Sequence, residues 1–179
     1  MALVVIKKKI GVRMEIKLLI VDVDGTLTDG KVYYGDNNLE VKAFNIRDGA
    51  ALKPLKQIGI NVVFLTGRTS EAVEHRAIDL NAIAIQGADD KVTALHGLLD
   101  DFDIRPEQCA YIGDDLIDYT AMKLCGFKAC PANAVTEIKD ICNYVSSYTG
   151  GNGAVRDICE YVLRKMGKYS ELLKHYGVI

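Results

Sequence analysis

Residues 18–26 read Leu-Leu-Ile-Val-Asp-Val-Asp-Gly-Thr, an apolar run that ends in two aspartates two positions apart. A short apolar run closed by a turn signal fits a strand buried on both faces, as in a parallel sheet. Such a strand rarely carries carboxylates, because stripping water from a charge is costly unless something pairs with it. Side chains at i and i+2 of a strand share a face. Asp22 and Asp24 therefore mark the carboxyl edge of a sheet, the edge at which open α/β folds bind ligands. A cation is the natural partner for the pair.

The rest of the chain supplies such a sheet. Apolar runs at 17–23, 61–65, 82–85, 109–112 and 127–130, with a short edge run at 144–146, alternate with amphipathic stretches at 50–57, 70–80, 91–102, 118–124 and 154–166. This rhythm predicts an α/β fold, a Rossmann-like doubly wound parallel sheet with helices on both faces. Pro54 falls inside the first helical stretch and should kink or shorten it. One segment breaks the rhythm. Residues 31–44 hold two β-prone arms around Gly35-Asp36-Asn37-Asn38, good turn chemistry, and predict a projecting hairpin. No internal repeat or linker divides the chain, so residues 16–179 read as one domain, a size that buries a sizeable core. Residues 1–15 read as a loosely ordered extension. Their apolar run precedes Lys7-Lys8-Lys9, the reverse of a secretory signal.

Four clusters fall at or just beyond strand ends: Asp22-Val23-Asp24-Gly25-Thr26, Thr66-Gly67-Arg68, Lys91 at the start of a helix, and Gly113-Asp114-Asp115 with Asp118. In a parallel sheet these ends share one edge, so the clusters converge. Carboxylates, a hydroxyl, a lysine and glycine turns together suit phosphoryl transfer. A hard cation such as Mg²⁺ takes oxygen ligands, and Asp22, Asp114 and the Asp24 backbone carbonyl can supply them. The Thr66 hydroxyl and Lys91 ammonium can hold phosphate oxygens.

In this order the motifs resemble the haloacid dehalogenase superfamily of phosphatases over residues 16–118. The resemblance implies Asp22 as the nucleophile that forms an aspartyl phosphate, and Asp24 as general acid and then base. It implies Asp114 as the second carboxylate ligand of Mg²⁺, with Asp115 and Asp118 supporting the metal site from behind. The intervals between motifs leave no room for a cap domain, so a macromolecular substrate or a neighbouring subunit must close the site. The hairpin favours the neighbour. With Phe44-Asn45-Ile46-Arg47-Asp48-Gly49 and the Gly150–Arg156 segment, the chain resembles the capless, tetrameric phosphatases of 3-deoxy-D-manno-octulosonate (KDO) 8-phosphate. That resemblance implies a homotetramer with active sites at subunit interfaces.

A sugar acid carries a carboxylate as well as a phosphate, and arginine pairs with both in a bidentate way. Arg47, Arg68, Arg76 and Arg156, with Gly67, are the candidate substrate-binding residues. On the plainer reading Arg76 pairs with Glu71 or Asp79, and Arg47 with Asp48. The related phosphatases of the nine-carbon KDN 9-phosphate carry a glutamate where this chain has Arg68, so the resemblance favours the eight-carbon substrate. The competing readings are that nine-carbon phosphatase, a non-catalytic oligomerisation module of a sugar-nucleotide pathway, and a macromolecule phosphatase.

A net charge of −2 gives no general affinity for nucleic acid, and no apolar stretch is long enough to cross a membrane. The five cysteines are scattered and odd in number, which suits reduced thiols in the cytoplasm. The three histidines lack metal-ligand spacing.

Overall fold

The computed structural model describes residues 14–36 and 39–179. A six-stranded parallel sheet runs in the order β5-β4-β1-β6-β7-β8, from β1 (Leu18–Val21), β4 (Asn61–Leu65), β5 (Ile83–Ile85), β6 (Cys109–Ile112), β7 (Phe127–Cys130) and β8 (Tyr144–Val145). β1 lies at the centre, in register with Asn61–Phe64 of β4 on one side and Cys109–Ile112 on the other. Its four residues are all buried, and they feed two cores. Leu19 and Val21 pack under α1 (Ile46–Leu52), α2 (Glu71–Asp79), α6 (Ala154–Met166) and α7 (Tyr169–His175). Leu18 and Ile20 pack under α3 (Lys91–Asp101), α4 (Leu116–Leu124) and α5 (Thr136–Ile141). Alternation along one strand thus assigns each residue to a layer, the pattern of a sheet covered on both sides.

The hairpin is present as β2 (Tyr33–Tyr34) and β3 (Glu40–Val41), antiparallel, with Tyr33 opposite Val41. Its arms are shorter than the sequence implies. Asn37 and Asn38 of its turn lie outside the described residues, as does most of the extension at 1–15.

Three boundaries differ from expectation for identifiable reasons. The first helix, expected at 50–57, spans Ile46–Leu52, because the Asn45 side chain accepts from the Arg47 N–H and caps it earlier. Pro54 has no N–H to continue it, and the chain passes through tight turns to Gly59. α4 begins at Leu116 rather than 118, because Asp115 caps it. α5 and α7 were not anticipated: at six and seven residues they are too short for a clear helical period.

Candidate active site

The convergence expected at the sheet edge is realised one residue at a time. Asp22 follows β1 and stays extended, its N–H donating to the Ile112 carbonyl at 2.9 Å. The chain then turns sharply through Val23–Leu27, which carries Asp24 to the same cavity. Thr66 follows β4, tied to β5 by its N–H on the Ile85 carbonyl at 3.0 Å. Its own carbonyl accepts from Ala88, which fixes the segment leading to Lys91. Lys91 opens α3 beneath an Asp90 cap that accepts from Val92 and Thr93. Asp114 and Asp115 follow β6. The resulting cavity of about 270 Å³ is lined by Asp22, Asp24, Thr66, Gly67, Arg68 and Lys91, with Asp114, Asp115 and Asp118.

Gly25 shapes this loop. Its φ is +102°, and an added Cβ would stand 2.1 Å from Asp114 Oδ2. Only glycine both adopts that conformation and leaves the room. Behind it, the Gly150–Gly153 turn packs so closely that a Cβ on Gly150 would fall 1.7 Å from the Gly25 carbonyl oxygen. The Gly151 N–H donates to the Thr26 carbonyl at 3.0 Å. Buried Asp48 anchors that turn, accepting from the N–H groups of Gly153 and Arg156 at the start of α6.

The floor is dominated by carboxylates. Lys91 Nζ lies 2.6 Å from Asp22 Oδ1 and 2.6 Å from Asp118 Oδ1, with all three side chains almost wholly enclosed. Asp118 is fully committed: Oδ1 also accepts from the Tyr111 hydroxyl at 2.9 Å, and Oδ2 accepts from the backbone N–H groups of Asp114 and Asp115. Burial and the neighbouring Asp118 push the Asp22 carboxyl well above the usual carboxylate range, against the opposing pull of Lys91. Asp114, which accepts from the Thr26 hydroxyl at 2.9 Å, is pushed up to about 6, chiefly by burial. Lys91 is held charged: burial opposes it, and Asp22 and Asp118 outweigh that.

Oxygens of Asp22, Asp114 and Asp118 lie within 4.8 Å of one another. This hard, oxygen-only set, with one ammonium against three acids, fits a divalent cation. Because Asp118 already accepts four bonds, Asp22 and Asp114 are the carboxylates with oxygens to offer. Asp115 is exposed and turned to capping α4, where it accepts from Leu116 at 2.7 Å.

The arginines divide. Arg68 lines the cavity beside Gly67 and is bound to Glu40 of the hairpin at 2.8 Å. Arg76 pairs with neither Glu71 nor Asp79. It donates to the Asn45 carbonyl at 3.1 Å and lies over the Phe44 ring. Arg47 and Arg156 line a second, larger cavity of about 500 Å³ between the starts of α1 and α6, and Arg156 pairs with Glu160.

Sequence reasoning passed over three residues: Asp48, Tyr111 and Lys42. Tyr111 and Asp48 look like ordinary strand and helix positions until their partners are seen. Lys42, on the hairpin's return arm, has a side chain with no exposure, and its ammonium is bound to Asp24 Oδ1. The available signal was Glu40-Val41-Lys42, where alternation puts both charges on one face.

Residues 83–158 match the model of the haloacid dehalogenase-like hydrolases. The 3-deoxy-D-manno-octulosonate 8-phosphate phosphatase of Salmonella typhi is 41% identical over 157 residues, 87% of this chain and 84% of that protein. The chain belongs to this phosphatase family. The same enzyme of Yersinia pestis is 42% identical over 154 residues, 86% of this chain and 82% of that one. Among solved structures, the family member from Moraxella catarrhalis, in complex with magnesium ion, phosphate ion and KDO, aligns at a TM-score of 0.87 with 41% identity, covering 92% of this chain and 95% of that one. The cobalt-bound family member from Haemophilus influenzae aligns at 0.84 with 38% identity, covering 88% and 92%.

Proposed function

We propose that this protein is a Mg²⁺-dependent phosphatase that hydrolyses KDO 8-phosphate to KDO and phosphate, a step of lipopolysaccharide sugar synthesis. The observation that carries the chemistry is the enclosed Lys91–Asp22 contact at 2.6 Å inside an oxygen-rich cluster at the sheet edge. The substrate follows from the family, whose Moraxella member was solved with KDO and phosphate bound.

The parts divide the work as follows. Asp22 Oδ attacks phosphorus, and the bond to the sugar's C8 oxygen breaks. Lys91 fixes the orientation of Asp22 and presents a positive charge to the phosphate oxygens, and the Thr66 hydroxyl holds another of them. Asp24 gives its proton to the departing alkoxide, then takes one from the water that splits the aspartyl phosphate. Mg²⁺, held by Asp22, Asp114 and the Asp24 backbone carbonyl, neutralises phosphate charge and aligns it for in-line attack. Asp118 keeps Lys91 and the Asp114 backbone in place. Arg68 at the cavity mouth is the group best placed for the sugar acid's carboxylate.

The open cavity needs a second copy to exclude water. Tyr33 and Val41, paired across the hairpin, are exposed on its face away from Glu40 and Lys42, and Leu39 of the return arm and Ile46 at the start of α1 are exposed as well. An isolated two-stranded ribbon is poorly stable with such a face uncovered. We read a homotetramer from this, in which Arg47, Arg76 and Arg156 serve a neighbour's cavity. The domain spans residues 16–179, since both cores share one sheet. All five cysteines are free, which suits the cytoplasm. Among the described residues, no helix is long and apolar enough to cross a membrane.

Phosphate release with Mg²⁺ from KDO 8-phosphate and from KDN 9-phosphate, side by side with ordinary sugar phosphates, tests the reading. Strong preference for the eight-carbon acid is expected. Preference for the nine-carbon acid would overturn the substrate, and no release from any would overturn the enzyme.

A further inference from the structure

The carboxylate of Asp24 is held on one side only. Its Oδ1 is bound by the Lys42 ammonium, while Oδ2 is buried and has no hydrogen-bond partner among the described residues. Lys42 is itself enclosed, with no side-chain exposure, and its second acidic neighbour is Glu40 Oε1 at 3.2 Å. Glu40 in turn binds Arg68 through Oε2 at 2.8 Å, and Arg68 also donates to the Tyr34 hydroxyl at 3.4 Å. A chain of contacts thus runs from the hairpin to Asp24 and to Arg68, entirely within one subunit. Enclosing an ammonium is costly unless acids surround it, so this lysine is present for its contact with the first loop. The ordinary reason for a charged hairpin, solubility at an exposed edge, does not fit a side chain with no exposure.

From this geometry we infer that Lys42 is a positioning residue for the reaction: it pins one oxygen of Asp24 so that the other is presented to the leaving-group oxygen. The role rests on the reading of Asp24 as general acid. An acid that must deliver a proton along one line gains from having its rotation removed beforehand. The Asp24 backbone leaves the strand through a turn whose next residue is a glycine at φ +102°, so the backbone alone gives its side chain little lateral support. Without Lys42, Asp24 and Glu40 would face each other as like charges and move apart. The hairpin would then serve its own subunit's chemistry as well as any contact with a neighbour.

The test is leaving-group dependence, measured as kcat/KM so that only steps through phosphoryl transfer to Asp22 count. Three substrates are compared: KDO 8-phosphate, arabinose 5-phosphate and 4-nitrophenyl phosphate. The first two leave as alkoxides that need a proton, and only the first carries a carboxylate; the nitrophenolate leaves without help. The variants are Lys42→Met, Lys42→Arg and Asp24→Asn. General acid catalysis contributes about 10²–10⁴-fold. Lys42→Met is therefore expected to lose about a hundredfold or more on both sugar phosphates and less than about fivefold on the aryl phosphate. Lys42→Arg should recover much of that loss, and Asp24→Asn should show the same split more steeply.

Equal losses on all three substrates in Lys42→Met would make the lysine merely structural and overturn the inference. A loss confined to KDO 8-phosphate would make it a reader of the carboxylate and also overturn it. If Asp24→Asn shows the split and Lys42→Met does not, only the role of Lys42 fails. If Asp24→Asn shows no split, the acid assignment fails and takes the role of Lys42 with it.

Discussion

Lys91 and Lys42 are both enclosed ammonium groups, and each holds one aspartate of the same loop. They reach it from different kinds of structure. Lys91 stands on the first turn of a helix packed on the sheet, and its partners are Asp22 at the end of central strand β1 and Asp118 in the first turn of α4, the helix that follows β6. Lys42 stands on a two-stranded ribbon whose outer face carries exposed Tyr33 and Val41. The floor of the cavity is thus fixed by the fold of one chain. The hairpin wall holds Asp24 and Arg68 but keeps apolar surface for something else to cover. The two regions therefore differ in kind: Asp22 and Asp114 stand on the rigid sheet edge, whereas the side chains of Asp24 and Arg68 are held by the ribbon.

Changes to the floor should be the most severe. Asp22→Asn keeps the shape but removes the attacking oxygen's charge. We expect turnover to fall by about a thousandfold or more, with fold and assembly intact. Activity surviving in that variant would remove Asp22 from its role. A chelator should likewise abolish turnover and Mg²⁺ restore it, and the effect has a pH signature. Burial holds Asp22 and Asp114 above their ordinary values in the metal-free chain, Asp114 at about 6. Protons therefore compete with the cation below that pH, and Mg²⁺ affinity should rise as pH increases through it. The stability of the metal-free chain runs the other way. An acid whose value is raised on folding favours the fold while protonated, and that contribution is lost as pH rises through the folded value. Thermal unfolding with and without Mg²⁺ should therefore show a larger stabilisation by the metal near neutral pH than at acid pH.

Lys91→Met sharpens the contrast, because it removes the one cation from two buried acids. We expect about 3 kcal/mol of lost stability in the metal-free protein besides lost activity, read by denaturant titration. Gly150→Ala touches neither acid, but it drives a methyl into the Gly25 carbonyl. It should lower kcat by about tenfold through displacement of the loop, and an unchanged rate would show that the turn does not buttress it. The mildest change is on the rim. Arg68 is exposed, and its partners among the described residues are hairpin groups, so Arg68→Ala should raise the KM for the sugar acid by about tenfold while leaving unfolding unchanged. A fall in stability as large as that of Lys91→Met would erase the distinction between floor and rim.

The floor was also the more legible part. Every residue assigned to it follows a strand or opens a helix, and the strands announce themselves as apolar runs. Asp22, Thr66, Lys91 and Asp114 could therefore be placed together from order alone. The hairpin was legible as a hairpin, but not which way its charges turn. Lys42 looks like a solvated edge residue, and only the folded ribbon shows it enclosed. Asp48 was hidden for a similar reason: its partners, Gly153 and Arg156, lie more than a hundred residues away. Arg47, Arg76 and Arg156 were grouped by charge and expected substrate. They fall outside the acid-lined cavity, because charge patterning carries no information about which cavity a side chain faces.

The most direct test of the central claim is to look for the phosphoryl group on Asp22. Enzyme turning over KDO 8-phosphate with Mg²⁺ is quenched in acid and treated with borohydride, which converts an aspartyl phosphate to homoserine, and the digested peptides are weighed. The expected result is a substrate-dependent mass change confined to the peptide containing Asp22. Rapid phosphate release with no change there, or a change at another residue, would contradict the account.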